Sequence, residues 1–221
     1  MFKKICFLVL MFVFFNSSLV SAKKYSPPYE LVDKATITLK RFLADDQMKW
    51  MREHLKDARG ILIIPQMLKG AFFIGGAGGS GVLLARYPGK DWSYPAFYTL
   101  GSVSFGLQFG GEASEIILLI MTQKGIDSFL ATSVKLGGDV SVAAGPVGMG
   151  AKAQLVDILA FARSKGAFVG ISLEGAVVKP RDSWNRMYYG RSVRPVDIIY
   201  GRIVKNPHAD RLRGILRKYS R

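Results

Sequence analysis

Cysteine is almost absent from this 221-residue chain, Cys6 being the sole one. It stands at the front of an apolar run, after Lys4 and Ile5, where a lipoprotein signal would need small residues at the end of the run, so lipid attachment is not expected. Past Cys6 no thiol remains for disulfides, thiolate metal sites or a cysteine nucleophile. Histidine is nearly as scarce: His54 and His208 are the only two, and neither sits in a motif or in metal-ligand spacing. Acid is in deficit, with 16 Asp and Glu against 31 Lys and Arg. Long apolar runs are missing too. The longest, Ile5–Phe15, stops at Asn16-Ser17-Ser18, too short for a helix across the roughly 30 Å hydrocarbon core.

What stands at the front is a secretory signal peptide. Lys3 and Lys4 form its charged region, Ile5–Phe15 its apolar region, and Val20-Ser21-Ala22 supplies small residues for cleavage after Ala22. The mature chain, residues 23–221, is expected outside the cytoplasm, periplasmic or secreted and peripheral on a membrane, and is long enough for one domain with a sizeable core. Its charge is uneven. Residues 23–69 carry 10 basic and 6 acidic side chains, residues 70–178 carry 7 of each, and residues 179–221 carry 12 and 3. A neutral middle between basic ends suits anionic partners, phospholipid headgroups above all. Nucleic acid is not expected, since no helix-turn-helix, zinc finger or RNA-binding aromatic signature occurs.

The pattern along the chain gives an α+β fold: a glycine-rich, mainly antiparallel, strongly curved or barrel-like sheet flanked by N-terminal and C-terminal helices. Leu31, Val32, Ala35, Leu39, Phe42 and Leu43 fall on one helical stripe. Asp45 and Asp46 offer caps for a second stretch with Met48, Met51, Leu55 and Ala58 on its apolar side. From Ile61 to Val178 short β-branched and aromatic runs alternate with glycine, leaving space for little helix beyond a turn or two around Ile126–Ala131. Helix returns at Ser183–Tyr189, Val196–Tyr200 and after the Asn206-Pro207 cap pair. The domain thus reads as helical over 30–59, β-rich over 61–178 and basic and helical over 179–221.

Catalytic signals are weak. Gly76-Ala77-Gly78-Gly79-Ser80-Gly81 fits G-x-G-x-x-G, but strand rather than helix follows it and no acid stands about 20 residues on, so a hairpin or bulged connection is expected. Ser104 lacks the glycine spacing of a nucleophile elbow. Glu112 and Glu115 would share a face only on a helix. No catalytic residue, cofactor or metal is assigned. The basic residues carry more information. Lys49, Arg52, Lys56 and Arg59 cluster beside an apolar stripe with Trp50 off it, and Arg211, Arg213, Arg217 and Lys218 lie off the apolar face of the last helix. Cations beside apolar side chains are what an interfacial helix presents to a membrane.

The order of several blocks resembles the SYLF domain family, over nearly all of the mature chain. These are Ala58–Pro65, Gly75–Arg86, Trp92–Tyr98, Ser104–Gly111, Ile116–Gly125, Val140–Gly148, and Gly166–Gly175 followed by Tyr188-Tyr189-Gly190. The resemblance implies a non-enzymatic domain that binds acidic lipids, phosphoinositides in eukaryotic members, with actin binding in some fungal ones. It implies lipid contact through an N-terminal amphipathic helix, here Leu31–Ala58, whose basic positions are Lys34, Lys40, Arg41, Lys49, Arg52, Lys56 and Arg59. The export signal and the lack of a partner domain point away from cytoplasmic actin and phosphoinositides and toward anionic envelope phospholipid. The alternative is a carrier or chaperone holding a lipid or other hydrophobic ligand in the sheet's cavity. An actin-type interaction protein and a hydrolase come after it.

Overall fold

The structure is a computed structural model that describes residues 26–71, 75–86, 91–104, 112–145, 156–164, 167–169 and 172–221. The segment expected to be a signal peptide, with Cys6 and Ala22, lies outside them. Helix α1 (Pro27–Ala44) starts on a proline, whose fixed φ suits a first turn, and carries Glu30 near its start and Arg41 near its end, as the helix dipole favours. The expected stripe is buried in full, from Leu31 to Leu43. Asp45 Oδ1 accepts from Gln47 N and caps a 3₁₀ turn at Asp46–Met48, which runs into α2 (Lys49–His54). Met48, Met51, Leu55 and Ala58 are buried as their spacing predicts.

Among the described residues nine strands form one sheet: β1 (Gly60–Ala71), β2 (Gly75–Ala85), β3 (Ala96–Ser104), β4 (Glu112–Ile120), β5 (Val134–Lys135), β6 (Val142–Ala144), β7 (Ile158–Ser164), β8 (Ala167–Val169) and β9 (Val177–Pro180). The order is β5-β9-β3-β2-β1-β4-β7-β6, with β8 on β7, and every pairing except β6 with β7 is antiparallel. The sheet curls into a half-barrel with helices at both ends. Runs such as Ile61–Ile64 and Ile116–Ile120 are buried at every position because both faces are covered. On one face Ile61, Ile63, Val82, Leu84 and Ile117 meet α1, α2, α4 (Asp182–Tyr189) and α6 (Asp210–Tyr219). On the other, Leu62, Ile64, Leu83 and Leu118 meet α3 (Gln123–Ser128) and α5 (Pro195–Ile199).

The glycine run is not a connection. Residues 75–85 form one continuous strand, and the irregularity sits on its neighbour. Ile63 pairs with Val82 but Gln66 with Ser80, so Ile64 and Pro65 stand against Gly81 alone. This is a β-bulge at a proline, which has no N–H to give the ladder. Backbone crowding at the bulge requires glycine opposite: a Cβ at Gly79 would lie 2.6 Å from the Gln66 oxygen, and one at Gly81 2.8 Å from that of Ile63.

A polar latch ties α3 to the sheet's far edge. The Asp157 carboxylate accepts from Thr122 Oγ1 at 2.6 Å, Ser141 N at 3.0 Å and Ser141 Oγ at 2.9 Å. Burial pushes this carboxyl up, but the Thr122 and Ser141 hydrogen bonds, with Lys124 nearby, outweigh it and hold it below its ordinary value. Asp157→Asn is expected to cost about 1–3 kcal/mol at neutral pH. A depressed folded pKa gives stability that is complete above the unfolded value of about 3.9 and lost as pH falls through the folded one. Urea unfolding of both proteins should therefore differ most at pH ~7 and draw together as pH falls below the unfolded carboxylate value of about 3.9.

Candidate functional site

The cations of the N-terminal helices are largely committed to neighbours. Lys34 pairs with Glu30 at 2.7 Å and Lys49 with Glu53 at 3.8 Å, both exposed pairs of little energetic weight. Arg52 donates to the Leu43 carbonyl at 2.7 Å, tying the end of α1 to α2. Trp50 is half-buried, stacked on His54 with ring centres 3.8 Å apart and packed on Phe161. Lys40 is exposed on α1.

The β1 bulge also creates the polar cluster under α1. Ile64 pairs with Ile116 and Met67 with Ser114, so Glu115 faces the extra residue. There Thr38 and Arg41 each donate to Glu115 Oε1 at 2.9 Å, while Arg163 lies 3.6 Å from Oε2 and 3.0 Å from Asp45. Two clefts of about 410 and 440 Å³ flank α1 here, sharing Lys34, Pro65 and Gln66. They lie between α1 and the sheet. Glu112 and Glu115 both belong to β4, so the helical spacing that would pair them for acid–base work does not occur. His54 Nδ1 sits 2.9 Å from the Trp50 carbonyl oxygen, and His208 lies between Tyr188 and Asp33. Among the described residues no group of His, Cys, Asp and Glu is arranged to hold a metal, and no helix is long and apolar enough to cross a membrane.

The two basic ends of the sequence meet at one corner. Arg86, at the end of β2, donates to the Ser220 carbonyl at 2.8 Å, to the Ala58 carbonyl at 3.4 Å and to the Lys56 carbonyl. One guanidinium thus joins the segment after α2 to the C-terminus of α6. Burial pulls Arg86 below its ordinary pKa, the adjacent positive charge of Arg59 lowers it further, and Asp57 opposes them. Lys56, Lys218 and Arg221 are exposed around this junction and Arg59 is half-buried.

Alongside it, α6 is clamped to residues 91–94. Arg213, only 13% exposed, donates to the Trp92 carbonyl from Nε at 3.0 Å and from Nη2 at 2.9 Å, and reaches Asp91 and Asp210 at 3.0 Å each. Its guanidinium lies over the Tyr94 ring at 4.1 Å. Arg217 grips Asp91 with two hydrogen bonds of 3.1 and 2.6 Å, and Trp92 Nε1 donates to Ser220 Oγ at 3.0 Å. Burial pushes the Asp91 carboxyl up, but hydrogen bonds from Arg217 and Trp92 N and the charges of Arg213 and Arg217 hold it below the usual carboxylate range. Of the C-terminal cations read from sequence, Arg211 and Lys218 face solvent, while Arg213 is a packing element. Arg86 and Asp91 escape sequence reasoning because no local pattern marks them; the Asp91 partners lie 122 and 126 residues away.

The described surface and topology define a small α+β domain that displays charge. The chain belongs to the SYLF family, also called Ysc84: residues 101–219 match the family described as Las17-binding protein actin regulator. It is similar to LAS seventeen-binding protein 3 of Saccharomyces cerevisiae, 35% identical over 170 residues that cover 73% of this chain and 37% of the yeast protein. Similarity to SH3 domain-containing YSC84-like protein 1 of Bos taurus is 30% over 169 residues, 74% of this chain and 49% of the bovine one. Protein YSC84 of the same yeast is 35% identical over 170 residues, 73% of this chain and 36% of that protein. The chain therefore spans about half or less of these curated relatives.

Proposed function

We propose that the mature chain is a non-enzymatic, extracytoplasmic protein that docks peripherally on anionic phospholipid through its basic helical ends. The observation that carries this reading is the corner at Arg86, where the carbonyls of Lys56, Ala58 and Ser220 share one guanidinium. Basic residues far apart in sequence become one surface, so neither end has to act alone. Each cation near an anionic membrane contributes roughly 1 kcal/mol, so Lys56, Arg59, Lys218 and Arg221 together support reversible binding without insertion of a helix. Such binding weakens as salt shortens the reach of charge.

Sedimentation with phosphatidylcholine vesicles, with and without phosphatidylglycerol, tests this. The protein is expected in the pellet only with the anionic lipid and at low salt; equal recovery in every supernatant overturns the reading. Lys56→Ala combined with Lys218→Ala is expected to weaken binding roughly thirtyfold, two contacts at about 1 kcal/mol each, with the melting temperature unchanged. The family's description names an actin regulator, and the matching yeast protein is named for binding Las17. For a chain read as exported, envelope lipid fits better than a cytoplasmic filament. A carrier function would use the clefts beside α1, and native mass spectrometry showing a co-purified lipid that survives high salt would favour it.

A further inference from the structure

Ile203 is an exposed apolar side chain, 51% accessible, on the loop after α5. The loop holds it there by several independent contacts. Arg202 has φ +51°, the left-handed region that a non-glycine residue rarely adopts. Arg202 Nη2 donates to the Asp91 carbonyl at 2.7 Å, and Ile203 N donates to the Asp197 carbonyl at 3.2 Å. On the other side Val204 is buried in the core. An apolar residue fixed outward between two anchored neighbours is a presented one.

Its surroundings are cationic. Asp91, which accepts from Arg202 through its carbonyl, accepts from Arg213 and Arg217 through its carboxylate. Two acids, Asp91 and Asp210, stand among Arg202, Arg213 and Arg217, with Arg202 held only by the Asp91 carbonyl, and Lys205 and Lys218 are exposed on the flanking segments. The outer side of α1 differs. Ile37 is 50% exposed there, but Lys34 has Glu30 and Arg41 has Glu115 as partners, so two of the three cations beside it are already neutralised and Lys40 is the exposed remainder.

We infer that the bilayer meets the arginine belt around Asp91, with Ile203 inserted at the boundary between headgroups and acyl chains, and that the outer face of α1 stays in water. This rests on the anionic-lipid reading above and adds an orientation and an apolar anchor to it. Cations among the phosphates beside a shallowly buried apolar side chain is the usual arrangement of interfacial binding.

Because the chain's only cysteine, Cys6, precedes the cleavage site, the mature chain accepts one introduced label at a time. Ile203→Cys and Ile37→Cys, each carrying an environment-sensitive nitrobenzoxadiazole dye, would be mixed with phosphatidylcholine–phosphatidylglycerol vesicles. A blue shift and brightening at position 203 with none at 37 is expected. If the protein pellets with vesicles but the dye at 203 does not respond, or the dye at 37 responds as much or more, the inference is overturned while the lipid reading stands. If neither labelled protein nor the unlabelled chain pellets, the lipid reading itself fails and takes this one with it. Ile203→Ser is expected to weaken vesicle affinity about tenfold, as loss of one buried aliphatic side chain would, and to leave the melting temperature unchanged. Unaltered affinity counts against the anchor.

Discussion

Gly79→Val and Gly81→Val are each expected to lower the melting temperature by roughly 10 °C or more, a cost above about 3 kcal/mol in a domain of this size. Gly78→Val, between them in the same glycine run, is expected to leave it nearly unchanged. The difference lies on the neighbouring strand. At Gly79 a Cβ meets the Gln66 oxygen at 2.6 Å and Ile64 Cγ2 at 2.8 Å, and at Gly81 it meets Ile64 Cγ1 at 2.7 Å and the Ile63 oxygen at 2.8 Å. Those oxygens belong to the bulge and cannot retreat without shifting the β1 register, which also sets Glu115 beneath α1. At Gly78 the nearest atom is the Leu100 oxygen at 3.9 Å, and the position lines the open cleft beside Leu68. Valine also suits a strand better than glycine does. Thermal melts followed by circular dichroism check the contrast, and equal damage at all three positions would refute the steric account.

The same run shows where sequence reading stops. Gly76–Gly81 has the composition of a connection, and nothing within it reveals that Pro65, on another strand, bulges against it. Helical stripes were legible because their information is local: Leu31 to Leu43 and Leu212 with Leu216 are buried as a 3.6-residue period predicts. The antiparallel sheet was legible from short β-rich runs with little helix between them. The candidate site was legible only as charge. A cation on a helix looks the same whether it points to solvent, as Arg211 does, or closes onto a carbonyl, as Arg213 does. Telling them apart requires the partner, and Trp92 is 121 residues from Arg213.

Arg213→Met is expected to have the largest effect of any surface-helix substitution, about 3 kcal/mol, because it takes both side-chain donors from the Trp92 carbonyl and leaves the Asp91 carboxylate to Arg217 alone. Methionine keeps part of the stem's packing on Tyr94, so the loss reports chiefly on charge and hydrogen bonding. Arg211→Met, which removes the same charge from an exposed position two residues away, is expected to stay within about 0.5 kcal/mol. The pair separates two meanings of a basic helix. If α6 contributed only a charge count, both variants would weaken vesicle binding alike. If the clamp is what presents the surface, Arg213→Met should lose far more than its one charge. Arg213 fixes α6 against residues 91–94, and Ser220 at the end of that helix accepts from both Trp92 and Arg86. Loosening α6 therefore separates Lys218 and Arg221 from Lys56 and Arg59, and splits one cationic surface into two weaker ones. Urea unfolding measured beside vesicle sedimentation for the two variants tests the coupling; equal losses of binding, with Arg213→Met folded, would leave charge alone as the determinant.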